Sequence, residues 1–308
     1  MAATKLHPAL RNAIRAGANL PTEVISATFD VQEGIKLLSA FLLRHEPVCV
    51  LTGAGISTDS GIPDYRSPGR PPHRPLQHLE FLGSHERQQR YWARSLYGYP
   101  RIRDTMPNVG HQAINELQRR GLVGAIITQN VDGLHQRAGS QHVIDLHGRL
   151  DQVKCMNCHS ITTRDELQSR LLADNKALLD QFSVVHDEAV RPDGDAVLDE
   201  DLYGRFTVAA CASCGGVLKP NVVFFGGSLD PEDVKRASTA VSEASALFVV
   251  GTSLATWSAF RIVRQAVEEA KPVCVLNSGP TRADGVIPEY LRLCMPIGEV
   301  LPAALRQL

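Results

Sequence analysis

Short runs that are apolar at nearly every position recur along the chain and predict the strands of a buried sheet. They occupy residues 48–51, 125–128, 142–145, 246–250 and 272–276. Such runs lack the apolar–polar alternation of half-exposed strands, and they are typical of parallel sheets covered by helices on both faces. We therefore expect a central parallel sheet.

Helical patterns lie between these runs, and their ends carry capping residues. Asp30, with Glu33 three residues later, is typical of a helix start, as is Asp230 followed by Pro231. Gly121 follows the helical pattern of residues 114–120 and predicts a helix end. Strands that alternate with helices indicate an α/β fold with a doubly wound, Rossmann-type sheet.

Two stretches do not follow that alternation. Residues 67–105 are rich in proline, arginine, histidine and aromatic side chains, and residues 150–215 contain two cysteine pairs around an acidic middle. Both look like insertions, because strand-like runs resume after each. We expect a sheet domain from 30–66, 106–149 and 216–308, a helical and cofactor-loop module at 67–105, a small cysteine-containing domain at 150–215 and an N-terminal extension at 1–29.

Charge and hydropathy narrow the classes of partner. The 308 residues include 32 Lys+Arg and 33 Asp+Glu, for a net charge of −1. This balance gives no general attraction to nucleic acid or to an anionic membrane surface. No uninterrupted apolar run reaches the roughly 18 residues of a transmembrane helix. We expect neither nucleic acid nor a membrane as a partner.

The first 22 residues are basic, with Lys5, Arg11 and Arg15 and no acidic residue. A mitochondrial presequence has this charge, but it is usually richer in serine and arginine. We expect the N-terminal helix of a bacterial cytoplasmic protein, with the mitochondrial matrix as the alternative compartment.

Four of the seven cysteines form two Cys-x-x-Cys pairs, Cys155 with Cys158 and Cys211 with Cys214. Two such pairs complete a tetrahedral zinc site, and four thiolates leave no open position, so the metal is expected to be structural. A redox role is the poorer alternative, because neither pair opens a helix after a strand. The remaining cysteines lie in apolar runs and are expected to be buried, at positions 49, 274 and 294.

Glycines and polar residues follow several of the predicted strands. Gly53-Ala-Gly-Ile-Ser57 follows the first strand, and glycines there let the backbone approach a pyrophosphate. The third glycine of the usual dinucleotide motif is absent, and an ordinary tight turn is the alternative. Gln129, Asn130 and Asp132 follow the second strand, at the sheet edge where ligands of α/β proteins bind.

Further candidates lie at the same predicted edge. His147 comes just after a strand, and an imidazole with a pKa of about 6.5 is suited to general base catalysis near neutral pH. Gly251-Thr-Ser253 and the segment from Asn277 to Thr281 are suited to binding ribose or adenine. Each of these segments alone could be structural. Their predicted position at the same edge of the sheet favours a functional site.

The order of these motifs resembles the sirtuin family over residues 30–302, and the finer similarity is to its class II, sirtuin-4-like branch. The family resemblance rests on Gly53-Ala-Gly-Ile-Ser57, Pro63-Asp-Tyr-Arg66, Thr128-Gln-Asn-Val-Asp132, His147-Gly148, the two cysteine pairs, Lys219-Pro-Asn-Val-Val-Phe-Phe-Gly226, Gly251-Thr-Ser253 and Asn277. It implies NAD-dependent deacylation of protein lysine side chains, with acyl-lysine proteins as partners.

The resemblance also assigns sites. NAD as co-substrate would contact Gly53, Ala54, Gly55, Ser57, Ile62, Asp64, Tyr65, Arg66, Gln129, Asn130, Asp132, Gly251, Thr252, Ser253, Asn277, Ser278, Gly279 and Ile297. The catalytic residues would be His147 and Asn130, and one zinc ion would be held by the four paired cysteines. The acylated substrate would contact Tyr91, Arg94, Phe225, Gly226 and Leu254.

In this family the acyl oxygen displaces nicotinamide from NAD, an alkylimidate forms, and the residue matching His147 activates a ribose hydroxyl to attack it. The products would be nicotinamide, free lysine and O-acyl-ADP-ribose. Mono-ADP-ribosyl transfer by the same site is the alternative, and a non-enzymatic zinc-ribbon module is a more distant one. We expect the enzyme to be a monomer.

The acyl preference is a separate question. Tyr91 and Arg94 have the Tyr-x-x-Arg spacing by which class III sirtuins bind acyl carboxylates, so a carboxylated or branched acyl group is one hypothesis. A structural pair on a helix surface is the equal alternative. Gly227 and Thr256 depart from the family pattern in the two peptide-binding loops, which leaves the peptide preference open.

Overall fold

The computed structural model describes residues 29–65, 75–181, 200–287 and 289–308. Arg66, which the resemblance assigns to the cofactor, lies outside these ranges, as does the N-terminal segment 1–28. No helix in the described ranges has the length and apolar character needed to cross a membrane.

Nine strands form two sheets within the described ranges. In chain order they are β1 Val48–Thr52, β2 Val123–Thr128, β3 Val143–Asp145, β4 Gly148–Cys155, β5 Ile161–Thr163, β6 Leu218–Val222, β7 Ala246–Val250, β8 Val273–Leu276 and β9 Leu291–Leu293. The larger sheet has the order β3-β2-β1-β7-β8-β9, and every pair in it is parallel. The smaller sheet is antiparallel, with β4 between β5 and β6.

The helices connect and cover these strands. They are α1 Val31–Arg44, α2 His78–Gly83, α3 His85–Asp104, α4 Val109–Arg119, α5 Leu134–Arg137, α6 Arg164–Asp174, α7 Lys176–Leu179, α8 Glu200–Tyr203, α9 Pro231–Glu243, α10 Trp257–Glu268 and α11 Ile297–Gln307. The predicted caps are confirmed for α1 and α9, because Asp30 accepts the Glu33 N–H at 2.8 Å and Asp230 accepts the Glu232 N–H at 2.9 Å. Gly121 follows α4 with a φ of 80°.

Alternate residues of β1 face two separate cores, which confirms the doubly wound α/β prediction. Val48 and Val50 pack in a core that includes residues of α1, α4 and α11. Cys49 and Leu51 pack on the other face with residues of α9 and α10. Because both faces are covered, each strand can be apolar at every position, and each buried aliphatic side chain contributes roughly 1.5–3 kcal/mol.

The two stretches that interrupt the alternation share a third core. Phe81 and Trp92 from α2 and α3 pack with Val153 of β4 and Leu167 of α6. The small sheet also includes β6, which lies beyond residue 215. We propose that the helical module and the cysteine-containing segment form one structural unit; the domain limits themselves stay a prediction.

The expected burial of the unpaired cysteines holds for two of the three. Cys49 and Cys274 are buried, but the prediction for Cys294 is wrong, because this residue is exposed. Cys294 comes directly after β9 at the edge of the sheet, and its thiol donates a hydrogen bond to the Ser278 carbonyl at 3.0 Å.

Candidate active site

A cavity of about 1660 Å³ lies at the carboxyl ends of the central strands and extends to α3 and to the loop after β6. This is the edge where open α/β sheets bind ligands. Most of the residues assigned by resemblance to NAD, substrate or catalysis line it: Ala54, Gly55, Ser57, Ile62, Asp64, Tyr65, Tyr91, Arg94, Gln129, Asn130, Asp132, His147, Phe225, Gly226, Gly251, Thr252, Ser253, Asn277, Ser278, Gly279 and Ile297.

The glycines after β1 are required by the close approach of two loops. A Cβ on Gly55 would lie 2.8 Å from the Gly251 carbonyl oxygen, and one on Gly53 would lie 2.6 Å from Thr252 Cβ. Gly251 has a φ of 63°, and its own Cβ would lie 2.5 Å from the Ile56 nitrogen. These glycines let the loops after β1 and β7 meet at the sheet edge and form one wall of the cavity.

Hydrogen bonds fix the polar residues that follow β2. The Asn130 amide donates to the Gly53 carbonyl at 3.1 Å and to Ser57 Oγ at 3.0 Å. Ser57 in turn donates to the Asp132 carboxylate at 2.8 Å. Burial raises the pKa of Asp132, while hydrogen bonds from Leu134 N–H and Ser57 oppose the shift. The arrangement holds an amide and a carboxyl group side by side, as recognition of a carboxamide requires.

Two buried histidines lie behind this group. His111 and His135 make an edge-to-face ring contact with centroids 4.9 Å apart, and His135 Nε2 lies 2.9 Å from Thr52 Oγ1. Burial lowers the pKa of both imidazoles, for His111 to about 4. They are therefore neutral near pH 7 and support the cavity wall from within. Neither histidine was predicted from the sequence, because their contacts with each other and with Thr52 are long-range.

His147 is held through both ring nitrogens. Its Nδ1 lies 3.0 Å from the Gln129 carbonyl oxygen, and its Nε2 lies 2.8 Å from Ser258 Oγ. A carbonyl only accepts hydrogen bonds, so the proton of a neutral imidazole belongs on Nδ1. Burial lowers the pKa of His147, and the bond to the Gln129 carbonyl partly opposes this. The structure therefore presents a neutral imidazole with the lone pair of Nε2 at the cavity wall, as a general base requires.

The segment after β8 is shaped by a buried ion pair. Arg292 Nε donates to Asp284 Oδ1 at 3.0 Å, and both side chains are buried. The same guanidinium donates to the carbonyls of Asn277 at 2.7 Å and Gly279 at 2.5 Å. Asp284 also accepts the Thr281 N–H at 2.7 Å. Arg292 and Asp284 thus fix the loop whose residues line the cavity.

We expect Arg292→Met to lower the free energy of unfolding by about 3–5 kcal/mol, because it leaves the buried Asp284 carboxylate without its cation. The KM for NAD should rise several-fold as the loop loses its anchor. Chemical denaturation and initial rates at varied NAD measure the two effects. Arg306→Met, at an exposed position of α11, is the matched control. An unchanged stability would contradict this role for the ion pair.

The far end of the cavity is lined by arginine and aromatic side chains and by one carboxylate, Glu80. Tyr91 is buried, with its ring centroid 5.5 Å from that of Phe81 and 5.3 Å from that of Phe224. Arg94 lines the cavity beside it, and so do two arginines that the sequence reading missed, Arg87 and Arg90. Their positions along α3 differ by three and four residues, which brings them to one face of the helix.

Of the predicted contact residues that the structure describes, Gly53 and Leu254 do not line the cavity. The Gly53 carbonyl accepts the Asn130 amide at 3.1 Å. Arg66 lies outside the described residues, so its predicted contact is not tested. Leu254 is completely buried, with a φ of 56°, and its N–H donates to Thr252 Oγ1 at 3.1 Å, so its contact with a peptide stays a prediction. Two residues missed by the sequence reading, Ser258 and Arg261, line the cavity from the first turns of α10.

The four paired cysteines form one cluster, with all four Sγ atoms within 4.8 Å of one another. Cys155 and Cys214 Sγ lie 3.6 Å apart, and Cys158 and Cys211 Sγ lie 3.8 Å apart. A tetrahedral site with Zn–S bonds of about 2.3 Å requires S···S distances of roughly 3.8 Å. The cluster therefore fits one structural zinc ion. It lies on the small sheet and not on the cavity wall.

Comparisons with known proteins agree with this geometry. The Sir2 family model matches residues 53–258. An NAD-dependent protein deacetylase of Xanthomonas campestris pv. campestris (strain 8004) is 48% identical over 252 residues, which cover 81% of this chain and 84% of the relative. The human NAD-dependent protein lipoamidase sirtuin-4, mitochondrial, is 41% identical over 275 residues, covering 88% of this chain and 85% of the relative.

A solved structure also matches. It is a Sir2 complex with a deacetylated p53 peptide and 3′-O-acetyl ADP ribose, and its TM-score is 0.69 at 29% identity. The match covers 89% of this chain and 98% of that chain.

Proposed function

The chain belongs to the Sir2 family, and from that premise we propose that it removes acyl groups from protein lysine side chains by consuming NAD. The products are nicotinamide, the free lysine and O-acyl-ADP-ribose. The observation that carries the proposal is the neutral, doubly anchored His147, whose Nε2 faces the same cavity as Asn130 and Asp132. The related complex with deacetylated peptide and 3′-O-acetyl ADP ribose supports these products.

We assign a separate binding or catalytic role to each group of cavity residues. The glycine-rich wall and the loop from Asn277 to Gly279 would bind the nucleotide, and Asp132 with Ser57 would hold the nicotinamide carboxamide. Asn130 would orient the reacting ribose. His147 would take the proton of a ribose hydroxyl on Nε2. Zinc supplies no chemistry in this scheme, because four thiolates saturate it and hold the small sheet together.

Nicotinamide release tests the function directly. NAD is incubated with the protein and a panel of lysine peptides: acetyl, glutaryl-type, lipoyl, long-chain and unmodified. We expect release that depends on the acyl group. Release with unmodified peptide would favour mono-ADP-ribosyl transfer or NAD hydrolysis by the same site. No release with any peptide would contradict the enzymatic account and favour a non-enzymatic zinc-binding module.

We propose in addition that the acyl group carries a carboxylate or a branch. Arg94 and Tyr91 support this, as do the cavity-lining Arg87 and Arg90, because several guanidinium groups on one wall favour an anionic ligand. Acetyl-lysine gains nothing from these charges. A lipoamide preference, the activity named for the human relative, is a second possibility that the panel distinguishes.

Arg94→Met should lower kcat/KM for a glutaryl-type peptide about 10- to 100-fold. This loss corresponds to the free energy of one or two charge-assisted hydrogen bonds to the acyl carboxylate. The acetyl peptide should change less than about threefold, because it makes no such bond. Steady-state rates with both peptides measure the ratio. Arg101→Met, at an exposed position of the same helix, is the control. Equal losses for both peptides would refute the carboxylate assignment.

The partners and compartment stay proposals. We propose acyl-lysine proteins as substrates and a monomer as the working form, with the bacterial cytoplasm as the compartment and the mitochondrial matrix as the alternative. Relatives of both kinds exist, one in Xanthomonas and one described as mitochondrial in humans.

A further inference from the structure

Ser258 is the protein group in contact with the reactive nitrogen of His147. Its Oγ lies 2.8 Å from His147 Nε2. The residue lies in the first turn of α10 and lines the cavity. The sequence reading did not single it out, because 111 residues separate the two partners.

The hydrogen bond made by His147 Nδ1 decides which group donates in the contact between His147 Nε2 and Ser258 Oγ. Because Nδ1 donates to the Gln129 carbonyl at 3.0 Å, Nε2 has a lone pair and the Ser258 hydroxyl donates to it. Thr256, just before α10, donates to Gln129 Oε1 at 3.2 Å. The start of α10 thus holds both His147 and the residue that fixes its tautomer.

The helix that carries Ser258 is itself rigidly held. Ala259, Phe260 and Val263 of α10 are completely buried in the core beneath β7 and β8. A serine hydroxyl on such a helix restrains the imidazole more tightly than a water molecule would, because the serine cannot diffuse away from the ring. His147 therefore keeps one ring orientation before any substrate is bound.

We propose that Ser258 is a positioning residue that holds the His147 ring in its reactive orientation and gives up Nε2 to the ribose hydroxyl when the nucleotide is bound. This role rests on the proposed deacylase function. On binding, the serine hydroxyl turns away from Nε2, and the ribose hydroxyl donates there instead. The ribose proton then passes to Nε2, and Ser258 never becomes charged.

The test separates two stages of the reaction in Ser258→Ala and Ser258→Thr. Exchange of labelled nicotinamide into NAD, in the presence of acyl peptide, reports the stage before the base acts. Formation of O-acyl-ADP-ribose reports the stage that needs His147. Alanine is favoured in helices, so Ser258→Ala is expected to fold. Ser169→Ala, at an exposed position of α6, is the matched control.

We expect Ser258→Ala to slow O-acyl-ADP-ribose formation about tenfold, the effect of a loosened catalytic group. Nicotinamide exchange and the KM for NAD should stay within about twofold of the wild type, and Ser258→Thr should restore most of the rate because it keeps the hydroxyl. Wild-type product formation in Ser258→Ala would overturn the proposal, as would an equal loss of exchange and product. Absence of acyl-dependent exchange in the wild type would instead overturn the proposed function on which this role rests.

Discussion

His147→Ala should reduce O-acyl-ADP-ribose formation by about 10²- to 10⁴-fold, the usual contribution of a general base. Nicotinamide exchange with an acyl peptide should persist, because it precedes the step that needs the base. The structure supports this difference between the two stages. His147 is neutral and the Gln129 carbonyl fixes its proton on Nδ1, so the lone pair is on Nε2, where it accepts the Ser258 hydroxyl until the ribose hydroxyl replaces it. Quantification of both products in the same reaction measures it.

His85→Ala is the control, because this histidine is exposed at the start of α3 and away from the cavity. Two results would contradict the base assignment. One is deacylation by His147→Ala at the wild-type rate. The other is full ADP-ribosyl transfer to protein by the mutant, which would make the alternative activity the main one.

Cys211→Ser should abolish zinc binding and unfold the small sheet, with loss of deacylation. Structural zinc contributes on the order of 10 kcal/mol of binding free energy, which becomes folding free energy when the site forms only in the folded state. Cys155 and Cys211 belong to the same core as Tyr91 and Trp92. Loss of zinc should therefore also disrupt the packing of Tyr91, which lines the cavity. Metal analysis and thermal unfolding by circular dichroism measure the loss.

Cys294→Ser serves as the comparison, since this cysteine is exposed and lies outside the cluster. It should retain one zinc ion per chain and its unfolding transition. A Cys211→Ser protein that kept stoichiometric zinc, or one that lost zinc and remained fully folded, would contradict the structural role of the metal.

The sequence predicted five of the six strands of the central sheet because those strands are apolar at nearly every position. β9 was missed because Arg292 separates its two leucines, which leaves no continuous apolar run. β6 was missed for another reason, because it contains the polar or strand-breaking residues Lys219, Pro220 and Asn221. The Lys219 side chain is nevertheless buried, and its amine donates hydrogen bonds to the backbone carbonyls of Pro220 and Val222. A strand of that composition carries no apolar pattern.

The residues of the candidate site were predictable where a polar or titratable side chain comes directly after a strand. Asn130, Asp132 and His147 all satisfy that rule, and the structure brings them to one cavity. Ser258 and Arg292 do not, because a serine on a helix and an arginine in a strand have no local signal for long-range partners. Burial of the Arg292–Asp284 pair is a property of the fold, and in the sequence both residues look like ordinary surface charges.

The central claim, that this protein deacylates lysine by consuming NAD, is tested most directly by product stoichiometry. The wild-type protein is incubated with NAD and its best acyl peptide, and all products are quantified by mass spectrometry. We expect equal amounts of nicotinamide, free-lysine peptide and O-acyl-ADP-ribose. Free carboxylic acid released with NAD unchanged, or ADP-ribose attached to the peptide with its acyl group retained, would contradict it.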